Sequence, residues 1–230
     1  MKNRELPKAL LVSIITPDVS IEEASESLNE LERLVTTLGF KVIAKESQRR
    51  PSTTGGTVVG EGKLQHLARY TGGPGVQERG SFSKRSKIVE KNEAEELALH
   101  GQEEETLEEF NLPEELANIV VFDCDLSPSQ LRNVEGALGV EVLDRSGVII
   151  EIFSRHAKTR TAKLQVEIAR LNYLSPRLRE TGGGTERQAG RGAGESQLEL
   201  DRRNIRDRIT ELKAELVNVQ KEQVSRRSTK

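Results

Sequence analysis

The feature that most constrains this chain is a short apolar run joined to a second one by a single amphipathic helix. Ala9 to Ile15 is rich in branched residues and ends at Thr16-Pro17-Asp18, the pattern of a buried strand. Ser20, with Glu23 three residues on, forms a capping box. Ile21, Ala24, Leu28, Leu31, Leu34, Val35 and Leu38 then mark one helical face before Gly39. Phe40 to Ala44 is a second strand. Joins this short require a right-handed βαβ crossover, so the sheet is at least partly parallel.

The pattern recurs. Asn118 to Cys124 is the most apolar strand of the chain, Asp125 to Leu138 follows as a helix with Pro128 suited to its first turn, and Gly139 stops it. Val140 to Leu143 is a fourth strand. Residues 1–150 are therefore predicted to be a small α/β domain, a mostly parallel sheet with flanking helices. Between the two units, residues 77–115 carry 12 acidic and five basic side chains with few large apolar ones. They read as a solvated insertion, helical in part around Asn92 to Leu99, which cannot bury enough apolar area to fold alone.

Residues 151–230 have another period. A helix over Gly147 to Arg155 leads in, Thr159 to Tyr173 places Leu164, Ile168 and Leu171 on one stripe, and Pro176 ends the segment. A glycine-rich loop at 181–197 follows. From Leu198 the stripe resumes at Ile205, Ile209, Leu212, Leu216 and Val219 with alternating spacings of four and three. The simplest pairing is a long antiparallel helical hairpin, coiled-coil-like, projecting from the α/β domain.

Composition agrees with such a shape. Of 230 residues only 34% are hydrophobic and 3% aromatic, which is low for one compact core of this length. The lone Cys124 lies in an apolar run and reads as a small core residue of a reducing compartment. No stretch approaches the roughly 20 apolar residues of a membrane helix, and the N-terminus lacks a signal-peptide pattern, so a cytoplasmic protein without a membrane partner is expected. The net charge of −2 hides an asymmetry. Residues 1–151 sum to −10 and residues 152–230 to +8, an acidic body with a basic arm suited to a polyanion.

The arm's loop holds Gly182, Gly183, Gly184, Gly190, Gly192 and Gly194, with Arg187 and Arg191 among them and Arg177, Arg179, Arg202 and Arg203 on the flanks. Glycines let backbone approach a partner, and guanidinium groups fork onto phosphate and stack on bases, so a deep RNA crevice is the fitting target. A plain flexible linker is the bland alternative. Gly60, Gly62 and Lys63 open a short amphipathic segment, Leu64 to Tyr70, where helix-start amides and a lysine suit a phosphate. It is not a Walker A loop, because Leu64 stands where Ser or Thr should be. Asp123 and Asp125 follow a strand end, where α/β sheets place ligand groups, although Asp125 is equally a helix cap. His66, His100 and His156 are scattered, and no metal site, nucleophile triad or other catalytic group is expected.

Five strings resemble one family. They are Asp125-Leu-Ser-Pro-Ser-Gln-Leu-Arg-Asn133, Val142-Leu-Asp-Arg145, Ile149-Ile-Glu-Ile-Phe153, Arg160-Thr-Ala-Lys-Leu-Gln-Val-Glu167 and Gly190 to Arg203, in the order found in HflX-type GTPases. The resemblance implies binding to the large ribosomal subunit and its rRNA, with the loop reaching towards the peptidyl transferase centre, and a role in splitting or rescuing ribosomes. It also implies a Ras-like domain, with GTP and Mg2+, beginning about where these residues end, so no cofactor is expected within them. Ala193 stands where the family has proline, which implies a more flexible loop. The family is also credited with adenine-nucleotide binding in its N-terminal region, where Gly60, Gly62 and Lys63 match a glycine-lysine motif. Two other readings stay open: a nucleotide-binding α/β enzyme or regulatory domain using Lys63, and a structural hairpin that dimerises. A monomer is the expectation for the ribosome-binding form.

Overall fold

The computed structural model describes residues 6–76, 115–178 and 193–228. The chain forms two units, Met1–Arg145 and Ser146–Lys230.

The first unit is a four-stranded sheet of β1 (Lys8–Ile15), β2 (Lys41–Arg49), β3 (Ile119–Phe122) and β4 (Glu141–Asp144), in the order β2-β1-β3-β4 with every pairing parallel. Helix α1 (Ile21–Thr37) joins β1 to β2, α2 (Glu61–Thr71) follows β2, and α3 (Pro128–Leu138) joins β3 to β4. The β1-α1-β2 unit steps outward in one direction and β3-α3-β4 in the other. Right-handed crossovers in opposite directions place their helices on opposite faces, the doubly wound arrangement. Side chains agree. Lys45 on one face of β2 reaches Asn29 and Glu32 of α1, whereas Leu10, Val12 and Phe122 pack with Leu64 and Leu67 of α2 and Leu131 and Val134 of α3.

Local chemistry sets the element ends. The Ser20–Glu23 capping box starts α1, with Ser20 N donating to Glu23 Oε2 at 2.9 Å. Asp125 does not cap α3. Ser127 does, through a capping box with Gln130, because Pro128 fits the first helical position and fixes the cap one residue before it. Gly139 leaves the helix at φ +69°. Strand β2 runs five residues beyond Ala44, since Glu46 and Gln48 find polar partners on α2 and its approach instead of ending the strand. The Thr71-Gly-Gly-Pro-Gly75 run ties the ends of α2 and α3 together: Thr71 Oγ1 donates to Leu138 O at 2.7 Å and Gly75 N to Ala137 O at 2.9 Å. At Gly73 a Cβ would collide with the Leu138 carbonyl, so only glycine fits.

The second unit contains α4 (Arg145–His156, whose first residue belongs to the first unit), α5 (Arg160–Leu174), a 3-10 turn at Ser175–Arg177, and α6 (Ala193–Ser228). Thr159 caps α5, its Oγ1 accepting from Ala162 N at 3.1 Å. Helix α6 begins at Ala193, so residues 193–197 are helical and not loop. Ala193, Glu195 and Gln197 are good helix formers, and Glu195 suits the positive end of the helix dipole.

Candidate nucleic-acid interface

Helices α5 and α6 pack through one apolar seam. Leu164, Leu212 and Val219 are buried, with Ile168, Leu171 and Leu216 packed against them. Two ion pairs give direction and register: Arg160 Nη2 lies 2.8 Å from Glu215 Oε1, and Arg208 Nη2 lies 3.0 Å from Glu167 Oε1. A rising number on α5 meets a falling one on α6, so the helices are antiparallel. The same register carries Leu174 to the level of Asp201, and the chain between the two helices therefore spans one common end of the pair.

At that end the 3-10 turn after α5 closes with Arg177, whose guanidinium stacks 3.6 Å from the Tyr173 ring centroid and donates from Nη1 to Tyr173 O at 2.7 Å. On α6, Arg203 is exposed and Arg202 half-buried. Gly182, Gly183, Gly184, Arg187, Gly190, Arg191 and Gly192 lie outside the described residues, as do most of the acidic stretch 77–115 and His100; Gly194 lies in the first turn of α6. At the end of the acidic stretch, Glu115 pairs with Lys41 at 2.8 Å and Lys8 at 3.5 Å, and these cations hold its carboxyl below the usual range.

The glycine-lysine motif is placed differently from a phosphate cradle. Gly60 is the N-cap of α2, and its amide donates to Gln48 Oε1 at 2.9 Å. Gly62 lies in the first turn, and Lys63 directs its ammonium to Glu46 Oε2 at 2.7 Å with 9% of its side chain exposed. Glu46 also receives Tyr70 OH at 3.0 Å and meets His66 Nε2 at 3.2 Å. Burial alone would raise the Glu46 carboxyl, but Lys63 and His66 outweigh it and hold it below its ordinary value. Burial, then the Glu46 charge, pushes the Tyr70 phenol up to about 12. Positions 63, 66 and 70 share one helix face, so the motif's lysine serves an internal polar cluster.

In doubly wound sheets the ligand crevice opens at the carboxyl ends of the strands where the winding reverses, here between β1 and β3. Asp123 stands there, 3% exposed, and is taken by Arg145: Nη1 lies 2.8 Å from Asp123 Oδ1 and 2.8 Å from Ser27 Oγ, and Nη2 lies 2.6 Å from Glu30 Oε2. The guanidinium thus bridges the end of β3 to α1, the elements that border the crevice. Neighbouring Asp144 is fully buried and accepts from Leu126 N at 3.3 Å. Burial, reinforced by Asp123, Asp144 and Asp125, pushes the Cys124 thiol up to about 12. Among the described residues no three His, Cys, Asp or Glu side chains are grouped to hold a metal, and no helix is long and apolar enough to cross a membrane.

Sequence reasoning missed Glu46, Gln48, Gln130, Asn133 and Arg145 as organising residues. Gln130 Nε2 donates to Thr53 O at 2.6 Å and Gly55 O at 2.8 Å, and Asn133 Nδ2 to Gly56 O at 2.8 Å. The string Asp125 to Asn133 therefore pins the loop after β2. The usable signal was the continued alternation through Glu46 and Gln48.

A doubly wound body followed by an arginine-bearing antiparallel helix pair is the N-terminal half of a class of GTP-binding proteins. The family described as GTP-binding GTPase N-terminal matches residues 25–78 and 80–154, and the GTP-binding GTPase Middle Region matches 156–230. The chain is 49% identical over 98% of its length to GTPase HflX of Gluconacetobacter diazotrophicus, covering 49% of that protein. It is 34% identical over 94% of its length to GTPase HflX of Alkalihalophilus pseudofirmus, covering 42% of it. A GTP-binding protein from Sulfolobus solfataricus, solved with GDP, shares the fold with a TM-score of 0.51 at 20% identity, over 94% of this chain and 46% of that one. The SsGBP–GDP complex does so with 0.55 at 22% identity, over 96% and 46%. This chain belongs to the HflX GTPase family and spans its N-terminal and middle regions, about half the length of the curated relatives it matches.

Proposed function

We propose that this chain is the ribosome-binding part of an HflX-type protein, which brings the glycine-rich segment between α5 and α6 against RNA of the large subunit, towards the peptidyl transferase centre, to split or rescue ribosomes in the cytoplasm. The observation that carries the reading is the register of the helix pair. Arg160–Glu215 and Glu167–Arg208 hold two antiparallel helices side by side, with Arg202 and Arg203 on α6 near the end where α5 closes, which supports a role for the linking sequence, rich in glycine and carrying Arg187 and Arg191, as the RNA contact. Phosphate neutralisation and arginine stacking on unpaired bases supply affinity in such a setting. The proposal assigns GTP and Mg2+ to the part of the relatives that this chain does not span, and treats the chain as a monomer.

Pelleting with purified large subunits at rising salt tests the reading. Binding should fall steeply with salt, and replacing Gly182 to Gly194 by a neutral linker should abolish most of it. Absent binding, or binding indifferent to that replacement, overturns it. The nucleotide-enzyme reading is disfavoured by the pairing of Lys63 with Glu46.

A further inference from the structure

The carboxyl ends of β1 and β2 border a cleft of about 330 Å3, near the lower end of the roughly 300–1,000 Å3 of small-ligand sites. Ile15, Pro17, Val19 and Ile21 give it apolar walls, and Arg49 and Arg50 give it a cationic side. Beyond the irregularity near Ile43, Lys45 and Arg49 lie on one face of β2, and Lys45 is neutralised by Glu32. The Arg49 guanidinium, exposed at the cleft, makes no hydrogen bond or ion pair among the described residues. An arginine beside an apolar slot is the type of group that forks onto phosphate.

We propose that this cleft docks one unpaired nucleotide of an RNA strand, its base against Ile15, Pro17, Val19 and Ile21 and its phosphodiester on Arg49. Thr16 and Ser20 also line the cleft, with their hydroxyls bonded to the Asp18 and Glu23 carboxylates. A singly charged phosphodiester fits better than a free polyphosphate, because Glu22 and Glu23 occupy the adjoining first turn of α1. The choice of RNA over an acidic protein rests on the ribosomal role proposed above.

The test measures binding of a short, unstructured, fluorescent RNA by the chain with Gly182 to Gly194 replaced by a neutral linker. Arg49→Glu should weaken binding about tenfold or more and make its salt dependence shallower by about one unit of slope. Val19→Trp, which fills the cleft without changing charge, should weaken binding and leave the slope intact. Ultraviolet cross-links should map to the Thr16 to Ile21 peptide. No RNA binding at low salt, insensitivity to both variants, equal displacement by a polyglutamate peptide, or binding of AMP with no preference for RNA each overturns the proposal. Loss of subunit pelleting with the Arg49 effect on RNA intact sinks the ribosomal reading alone. The reverse result sinks this site alone.

Discussion

Arg145 Nη1 lies 2.8 Å from Asp123 Oδ1, and this bond ties the start of α4 to the carboxyl end of β3. A doubly wound sheet leaves an opening where the winding reverses, and many α/β proteins place a ligand there. Here a side chain from the start of α4 engages Asp123, next to that point, together with Ser27 and Glu30. Arg145→Ala should therefore destabilise the chain by about 1–3 kcal/mol, mainly by leaving the buried Asp123 carboxylate unpaired. Urea unfolding checks this, with Arg145→Lys recovering only part of the loss because one ammonium cannot reproduce the fork.

Glu46 gives the stability of the first unit an acid limb. Its folded carboxyl titrates below the ordinary 4.5, so its contribution is present above that value and is lost as pH falls through the lower folded one. Glu46→Gln should cost about 1–3 kcal/mol near neutrality, and the gap to the parent should close in strong acid, where both side chains are uncharged. Denaturation midpoints across the acid range decide it.

Tyr70 acts at the other extreme. Its phenol is raised from 10 to about 12, so the folded chain holds the proton more tightly and loses stability as pH rises between those values. Tyr70→Phe should remove that part of the alkaline slope while sacrificing roughly 1 kcal/mol for the lost hydrogen bond to Glu46 at neutrality. Thermal midpoints of the two forms at neutral and alkaline pH should converge.

The register of the helix pair has a direct test. Exchanging charges in the double variant Glu167→Arg, Arg208→Glu should restore most of what either single change loses, with a coupling of about 0.2–1 kcal/mol, as for exposed pairs. Leu212→Ala, at a side chain 1% exposed in a small seam, should cost about 2–3 kcal/mol, the low end for such truncations. Absence of coupling in the cycle would refute the pairing.

Cys124 should resist alkylation in the folded chain near neutral pH. Burial among three aspartates pushes its thiol up to about 12, and the thiolate is the reactive form. Mass spectrometry after iodoacetamide should find modification only once denaturant opens the chain.

The two strand–helix–strand units were legible because apolar period, capping boxes and stop glycines all agreed at Ser20, Glu23, Gly39, Pro128 and Gly139. The antiparallel stripe was legible for the same reason at Leu164, Leu212 and Val219. What escaped was chemistry set by distance in the sequence. Nothing local tells that Lys63 will meet Glu46, or that Arg145 will meet Asp123, because an ion pair has no period. Ser127 displaced Asp125 as a cap because proline geometry outranked charge. Nor does anything local to the glycine-lysine motif point to Gln48, twelve residues earlier, whose side chain takes the Gly60 amide.

The 36 residues of α6 contain no proline, and their one glycine is Gly194 in the first turn. At 1.5 Å per residue the rod is about 54 Å long, and it offers no hinge at which a bend would dissipate. Without a proline or interior glycine to concentrate a bend, a displacement at one end is carried along the rod to the other, so the helix is a mechanical linkage as much as a surface. Whatever grips one end is in leverage with whatever is attached to the other.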